Sequence, residues 1–114
     1  MNEVIDAEFM KKRILKECYR GFDFATSEIT PYHTDIRFDV MGLQRFNRNV
    51  KIYEVKSCRQ DFLSDKKWNK YLPFATHFYF AAPKGVIQPN ELPNGIGLIE
   101  FWQMPNGYIT MEIS

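Results

Sequence analysis

The sequence predicts a single α/β domain, a sandwich with a mixed central sheet and a hairpin at its C-terminal end. Three observations support this fold class. A helical pattern opens the chain, segments rich in β-branched and aromatic residues alternate with turn residues, and a second helical pattern precedes the fourth strand. The 114 residues, 45% of them hydrophobic, are enough for one core and too few for two ordinary domains.

The first helix is predicted over residues 4–19. Its apolar residues recur at intervals close to the period of a helix with one buried stripe. These residues are Ile5, Phe9, Ile14 and Cys18. Gly21 should end the helix, because glycine is suited to the left-handed conformation of a helix cap.

Three strands are predicted next, over residues 22–30, 34–42 and 50–57. Pro31 separates the first two, and residues 44–49 form a polar turn before the third. In the second strand apolar residues alternate with charged ones, so one face should be apolar and the other mainly charged. The apolar residues are Ile36, Phe38 and Val40. Strands joined by a short loop usually pair antiparallel.

A second helix is predicted after the third strand. Residues 57–60 have the spacing of a capping box, Ser64 is a second candidate cap, and the helix should run to about Pro73. A strand over residues 77–82 follows, and its apolar run is typical of a strand buried on both faces.

The chain is predicted to close with a hairpin. A loop over residues 88–94 precedes strands at residues 96–103 and 108–113. Asn106-Gly107 lies between these strands and is the strongest short hairpin signal.

The charge pattern favours local rather than global attraction to nucleic acid. The 15 basic residues nearly balance the 14 acidic ones, but basic residues cluster in residues 11–20 and 51–70. A solvated helix face is the alternative explanation of the first cluster. Cys18 and Cys58 have no metal-ligand spacing and are expected to be reduced thiols. Residues 1–10 lack an apolar run, and no stretch reaches the ~20 apolar residues of a membrane span, so we expect a cytoplasmic protein without membrane contact.

Two acids and a lysine are predicted to meet on one face of the sheet. Glu54 and Lys56 are two apart on a strand, so both side chains leave the same face, and Asp39 lies on the charged face of the neighbouring strand. Carboxylates this close repel each other unless a cation lies between them, and oxygen ligands suit Mg²⁺ or Mn²⁺. The ion would polarise a phosphate, and Lys56 would stabilise the transition state. A surface carboxylate paired with Arg37 is the alternative for Asp39, and a solvated cation the alternative for Lys56.

Several runs of residues are together more specific than Glu-x-Lys. They are Arg37-Phe38-Asp39-Val40, Tyr53-Glu54-Val55-Lys56-Ser57 with Arg59, Asp61-Phe62, Asp65-Lys66-Lys67-Trp68, Tyr71-Leu72, Phe78-Tyr79-Phe80-Ala81-Ala82-Pro83 and Gly97-Leu98-Ile99. In these runs the sequence resembles the MmcB-like family of bacterial proteins, which is related to DNA repair, within the PD-(D/E)xK nuclease superfamily. The resemblance extends over about residues 28–99.

The resemblance implies a restriction-endonuclease-like core of the order αβββαβ and a metal-dependent nuclease that acts on DNA in repair, recombination or defence. It implies that Asp39 and Glu54 are metal ligands, that the Val55 carbonyl is a further ligand and that Lys56 is the catalytic lysine. Many superfamily members also use a glutamate on the first helix, for which Glu8 is the candidate and Glu17 the alternative. The superfamily's proline before the aspartate is Phe38 here.

Further residues near the acids are assigned to substrate binding or to support. The predicted phosphate contacts are Arg37, Arg59, Lys66 and Lys67. The predicted supporting residues are Ser57, Asp61 and Asp65, with helix caps and surface ion pairs as the alternative for these and for Lys67. RNA stays open as a substrate, and a homodimer would let each subunit address one strand. The competing function is a nuclease-fold module that binds nucleic acid or a protein partner without turnover.

Overall fold

A computed structural model describes residues 5–22 and 24–113 of the chain. Its helices and strands follow the predicted order. They are α1 (Ala7–Gly21), β1 (Phe24–Ile29), β2 (Phe38–Gln44), β3 (Asn49–Val55), α2 (Arg59–Ser64), a 3₁₀ helix (Trp68–Phe74), β4 (His77–Pro83), a short 3₁₀ turn (Pro89–Glu91), β5 (Ile96–Gln103) and β6 (Ile109–Ile113).

The strands form one mixed six-stranded sheet in the order β1-β2-β3-β4-β5-β6. The pairs β1–β2, β2–β3 and β5–β6 are antiparallel, whereas β4 pairs in parallel with both β3 and β5. The predicted mixed sheet, the hairpin of the second and third strands and the C-terminal hairpin are therefore confirmed. Gly107 has φ 90° in the final turn, a conformation that glycine adopts without a steric penalty.

Helix α1 covers one face of the sheet. Its buried residues are Met10, Ile14 and Cys18, spaced four apart, while Ile5 and Phe9 of the predicted stripe are only partly buried. The helix begins at an Asp6 cap, whose carboxylate accepts a hydrogen bond from the Phe9 amide at 2.8 Å. The predicted start at Val4 lies outside the described residues.

The predicted left-handed cap at Gly21 is wrong. Gly21 is the last residue of α1, and its φ is not among the positive values found in the described residues. The helix ends because Phe22 takes an extended conformation, with its N–H still donating to the Cys18 carbonyl at 2.8 Å. Gly21 is therefore a helical residue with an open environment.

The opposite face of the sheet is covered by α2 and the 3₁₀ helix. Phe62, Trp68 and Tyr71 pack there on a buried cluster that includes Phe78 and Phe80. The single helix predicted up to Pro73 is wrong, because the chain leaves the helical conformation at Asp65. The Asp65 carboxylate accepts hydrogen bonds from the amides of Lys67 and Trp68, and such local bonds compete with a continuous helix.

The predicted caps of the second helix are also wrong. Cys58 is the first flanking residue of α2 and makes no side-chain cap, whereas the Ser57 hydroxyl donates to Asp61 at 2.9 Å. Ser64 is the last residue of α2, and its hydroxyl donates to the Asp61 carbonyl at 3.3 Å. Both hydroxyls therefore donate to Asp61, and neither accepts a hydrogen bond from a free amide at the start of a helix.

The second strand begins later than predicted and does not keep the predicted alternation. Its first residue is Phe38, so residues 34–37 lie outside it, and β3 ends at Val55 rather than at residue 57. Phe38 belongs to the cluster beneath α2 and the 3₁₀ helix, whereas Val40 belongs to the core beneath α1. Residues two apart in a regular strand face the same side, so the alternation of β2 breaks at Asp39.

No helix within the described ranges has both the length and the apolar character needed to cross a membrane.

Candidate functional site

The site forms where β2 and β3 stop pairing through their backbones. The last pair at this end of the ladder is Val40 with Tyr53, and Asp39 and Glu54 stand at the next position. Here side chains replace the backbone partners. The Asp39 N–H donates to Glu54 Oε1 at 3.3 Å, and the Val55 N–H donates to Asp39 Oδ2 at 2.7 Å. Each carboxylate is therefore held by the backbone of the opposite strand.

Both acids face one open cleft of about 390 Å³. The predicted residues that line it are Asp39, Glu54, Val55, Lys56, Asp61, Asp65 and Lys67. Ser64 and Tyr71 complete the lining from α2 and the 3₁₀ helix. The cleft thus combines four acids with two lysines.

Burial makes Glu54 reluctant to ionise. The residue is 5% exposed, and it is the only charged residue among the buried ones in the part of the chain that the structure describes. Burial and then the nearby Asp39 charge raise the pKa of Glu54 to about 8, against the opposing effect of Lys56. Burial also raises the pKa of Asp39, although the Val55 amide and the cations Lys11 and Lys56 oppose the shift. Two carboxylates with raised pKa values favour a cation or shared protons between them.

Lys56 is held between two acids. Its ammonium lies 2.6 Å from Asp65 Oδ2 and 4.0 Å from Glu54 Oε2, and its side chain is 12% exposed. Burial opposes ionisation of Asp65, but the Lys56 ammonium and the amides of Lys67 and Trp68 outweigh it and lower the Asp65 pKa. Asp65 is therefore an anion that binds the amides leading into the 3₁₀ helix and also orients Lys56.

The predicted phosphate contacts are distributed unevenly. Lys67 lines the cleft, and Lys66 is exposed beside it without lining it. Arg37 pairs with Glu28 at 2.9 Å. Arg59 pairs with both carboxylate oxygens of Glu91 at 2.6 Å and donates to the Val86 carbonyl at 2.9 Å. The Arg59 guanidinium thus joins α2 to the loop after β4.

The first helix places a cation, not an acid, near Asp39. Glu8 is 67% exposed and lies 3.4 Å from Lys11, and Glu17 lies 3.3 Å from Arg20. Neither glutamate is among the described residues that line the cleft. Lys11 is 17% exposed, contacts Glu28 at 3.1 Å and lowers the pKa of Asp39 through its charge. Lys11 is the residue that sequence reasoning missed, because the resemblance implies a carboxylate on this helix.

Tyr71 and Ser64 were also missed as cleft residues. Tyr71 lines the cleft and packs edge to face on Phe38, with ring centroids 5.6 Å apart. Burial raises the Tyr71 pKa to about 12, so its hydroxyl remains a donor at neutral pH. No spacing in the sequence marks either residue, because Ser64 ends α2 and Tyr71 lies in the 3₁₀ helix that follows the break at Asp65.

The donor chemistry of the cleft is that of hard oxygen ligands beside an ammonium. Among the described residues no group of three or more His, Cys, Asp and Glu side chains is arranged to hold a metal ion. The side-chain donors closest to the strand ends are the two carboxylates of Asp39 and Glu54. Mg²⁺ sites in proteins usually take only one or two carboxylates from the protein, and water and substrate oxygens complete the coordination. The pair of Asp39 and Glu54 resembles the protein ligands of such a site.

Comparison with known proteins identifies the family of the chain and a structure with a similar fold. A family model described as DNA repair protein MmcB-like matches residues 5–109. No curated protein matches the sequence. The fold is similar to that of a protein of unknown function from Silicibacter pomeroyi, with a TM-score of 0.64 and 29% sequence identity. The match covers 88% of this chain and 63% of that one, so the chain spans less than two thirds of the length of that protein. Because the family model extends from the start of α1 to the start of β6, the chain belongs to the MmcB-like family of DNA repair proteins.

Proposed function

We propose that the protein is a metal-dependent nuclease that hydrolyses phosphodiester bonds of DNA, with Asp39 and Glu54 as metal ligands and Lys56 as the catalytic lysine. The observation that carries the proposal is the pair of carboxylates anchored by the backbone amides of opposite strands, beside one ammonium and in one open cleft. Carboxylates that are buried together without a cation are unfavourable, so their retention here needs a chemical reason.

The element order supports a restriction-endonuclease-like core as part of this proposal. Helix α1 is followed by three antiparallel strands, then by α2 and the parallel strand β4, which corresponds to the order αβββαβ. The site lies where β2 and β3 separate, and α2 with the 3₁₀ helix supplies its second wall.

Mg²⁺ or Mn²⁺ fits the residues that are present. Asp39 and Glu54 would hold the ion, with the Val55 main-chain carbonyl as a further hard oxygen ligand. A bound divalent ion would supply electrophilic assistance to the phosphate and help generate a nucleophile from water. Because the pKa values of both acids are raised, loading the site would release protons, and affinity for the ion would rise with pH up to about pH 8.

The protein's own residues would orient substrate and stabilise charge. Lys56 would place its ammonium beside the phosphate as negative charge develops on it, which is most effective in a site that excludes bulk water. Asp65 would hold Lys56 in position, since the two side chains are already 2.6 Å apart. Lys67, from the rim of the cleft, would contact a neighbouring phosphate.

DNA is the proposed substrate because the family to which the chain belongs is related to DNA repair. The same cleft chemistry would act on RNA.

A nuclease-fold module without turnover is the second candidate, and one contact favours it. Lys56 is closer to Asp65 than to Glu54, at 2.6 Å against 4.0 Å. If this ion pair persisted with substrate bound, the ammonium would be neutralised where the reaction needs it. The protein would then bind nucleic acid or a protein partner through the same surface without hydrolysing it.

The test is metal-dependent cleavage of single-stranded, duplex, flapped and branched DNA, with RNA as a further substrate. Lys56→Ala should lower turnover by ~10²-fold or more and leave metal-induced thermal stabilisation intact, because the lysine acts on the transition state. Glu54→Gln should instead weaken that stabilisation, and raised Mn²⁺ should restore part of its activity.

Melting temperature separates the two candidates. A working site should give a rise in melting temperature with Mg²⁺ or Mn²⁺ that Glu54→Gln reduces and that the exposed control Glu112→Gln keeps. Wild-type protein with no metal-induced stabilisation and no cleavage of any of these substrates would overturn the nuclease proposal in favour of the module.

A further inference from the structure

A second cleft, the basic groove, lies between α1 and the residues that lead into β6. It encloses about 420 Å³, and α1 contributes the exposed cations Lys12, Lys16 and Arg20 to its lining. Tyr108, 58% exposed, contributes from the side of β6. We propose that the basic groove binds the phosphate backbone of DNA, separately from the cleft at Asp39 and Glu54.

The basic groove is built before any ligand arrives, because Arg13 ties its two sides together. Arg13 Nη1 donates to the Ile109 carbonyl at 2.8 Å, and Nη2 donates to the Tyr108 hydroxyl at 3.1 Å. The guanidinium carbon also lies 5.5 Å from the centre of the Tyr108 ring. A site that is already ordered loses less conformational freedom on binding than a mobile one.

The cations of the groove form a row with a surplus of positive charge. Lys12, Lys16 and Arg20 are four residues apart, so they follow one face of α1 at intervals of ~6 Å along its axis. Arg20 pairs with Glu17 at 3.3 Å, but within residues 5–22 and 24–113 neither Lys12 nor Lys16 has an ion-pair partner. Like charges at this spacing destabilise a helix, and a polyanion along the row would relieve that repulsion.

The basic groove is distinct from the catalytic cleft. None of the described residues that line it also lines the cleft. Helix α1 lies on one face of the sheet, whereas α2 and the 3₁₀ helix, which wall the cleft, lie on the other. Lys11 is next to Lys12 in sequence but does not line the groove. It pairs with Glu28, and its charge acts on Asp39.

A row of cations at regular intervals suits a polymer with a charge on every repeat better than a single anion. The choice of DNA rests on the same family membership as the proposed function. Binding in the groove itself needs neither a metal ion nor cleavage. The groove would hold DNA near the protein while a different part of the same molecule enters the cleft.

The test is the affinity for a short DNA duplex by fluorescence anisotropy, in EDTA and over a series of salt concentrations. The variant Lys12→Gln/Lys16→Gln is compared with Lys70→Gln/Lys84→Gln, which removes the same charge from exposed lysines outside the groove. We expect the groove variant to bind about ten-fold more weakly and to lose ~1.8 from the slope of log affinity against log salt, with the control close to wild type. Melting temperatures should show that both variants are folded.

Two outcomes would overturn the proposal. Equal losses in both double variants would mean that total charge, and not the groove, attracts DNA, and no loss in the groove variant would mean that DNA binds elsewhere. Vesicles containing phosphatidylserine provide a third arm: groove-dependent binding to them, with DNA binding unchanged, would assign the groove to a membrane surface instead. Glu54→Gln should bind DNA through the groove as wild type does, because Glu54 does not line the groove. If wild-type protein bound DNA through the groove but did not cleave it, the nuclease proposal would fail and the groove proposal would stand.

Discussion

At the scale of single residues, the site depends on side chains that replace backbone partners. Asp39 and Glu54 each accept a hydrogen bond from a main-chain amide of the opposite strand, so their carboxylates have little rotational freedom. One oxygen of each acid is used in this way, and the second remains available to a ligand. Under the proposed function, such anchoring would give the metal site its geometry before the metal binds.

Glu54 should make the metal-free protein less stable as pH rises. Its pKa of about 8 in the folded protein lies above the ordinary value of 4.5, so between these pH values the folded state holds a proton that the unfolded state has lost. The free energy of unfolding should therefore fall by up to ~1.4 kcal/mol per pH unit across this window and level off above it. Urea unfolding from pH 5 to pH 8.5 in EDTA measures this slope.

Glu54→Gln should flatten that pH dependence, because the amide keeps an acceptor for the Asp39 N–H and does not titrate. Glu112→Gln, at an exposed position of β6, is the matched control and should leave the slope unchanged. Saturating Mg²⁺ should flatten the wild-type slope as well. Stability that rises steadily from pH 5 to pH 8 in the metal-free wild type would contradict this account.

Two substitutions at Asp65 should distinguish its hydrogen bonds to main-chain amides from its ion pair with Lys56. Asp65→Asn keeps an oxygen for the amides of Lys67 and Trp68 but loses the ionic contact with Lys56, whereas Asp65→Ala loses both. We expect Asp65→Ala to lower the free energy of unfolding by ~1 kcal/mol more than Asp65→Asn, which is the usual net contribution of a hydrogen bond. Chemical denaturation measures the difference, and equal stabilities would show that the two amide contacts contribute nothing.

At the scale of the elements, the central parallel strands are packed closely at one glycine. A Cβ added at Gly97 on β5 would overlap the ring of Tyr79 on β4. That ring stacks on Tyr53 of β3, with centroids 5.2 Å apart, so it has little room to move. The absence of a side chain at Gly97 therefore leaves the room that the stacked Tyr79 ring occupies.

Gly97→Ala should destabilise the fold by ~1–3 kcal/mol, because the added methyl group forces the two stacked rings to shift. Gly21→Ala is the matched control, since a Cβ added there would meet no atom within 4 Å and the backbone is helical. Alanine is the better helix former, so that change should be neutral or should stabilise by ~0.5 kcal/mol. Thermal unfolding of both variants checks the pair, and a Gly97→Ala protein as stable as wild type would refute the packing argument.

At the scale of the whole molecule, charge is nearly balanced but unevenly placed. The net charge is +1, with 15 basic and 14 acidic residues. Four acids line the cleft at Asp39 and Glu54, whereas the exposed face of α1 carries a surplus of cations. Attraction to DNA should therefore be local and moderate rather than long-range.

Affinity for DNA should fall with salt, but less steeply than for a strongly basic protein. About three phosphate contacts would give a slope near −2.7 for log affinity against log salt. A titration between low and physiological salt measures this slope, with sucrose at matched osmolality as the uncharged control. An affinity that does not change with salt would show that phosphate neutralisation is not the source of binding.

Local patterns in the sequence predicted much of the whole fold. The order of the elements, the mixed sheet and the final hairpin at Asn106-Gly107 follow from periodicity and turn chemistry, which act within a few residues. The hairpin of β2 and β3 accounts for the approach of Asp39 to Glu54, and Lys56 lines the same cleft although it lies one residue beyond the end of β3. These inferences succeed because they need only the conformation of a strand and its nearest neighbour.

The tertiary structure decided what depends on partners distant in sequence. The break of the second helix at Asp65 accompanies the ion pair with Lys56. The first helix places Lys11 near the site, where it pairs with Glu28 and its charge acts on Asp39. Glu8, expected in the site, instead remains exposed beside Lys11. Local propensity and periodicity cannot specify such pairings, because an isolated helix has the same intrinsic preference for a lysine or a glutamate at these positions. The amino-acid sequence by itself thus determined which strands carry the acids, and the packed structure decided which charges surround them.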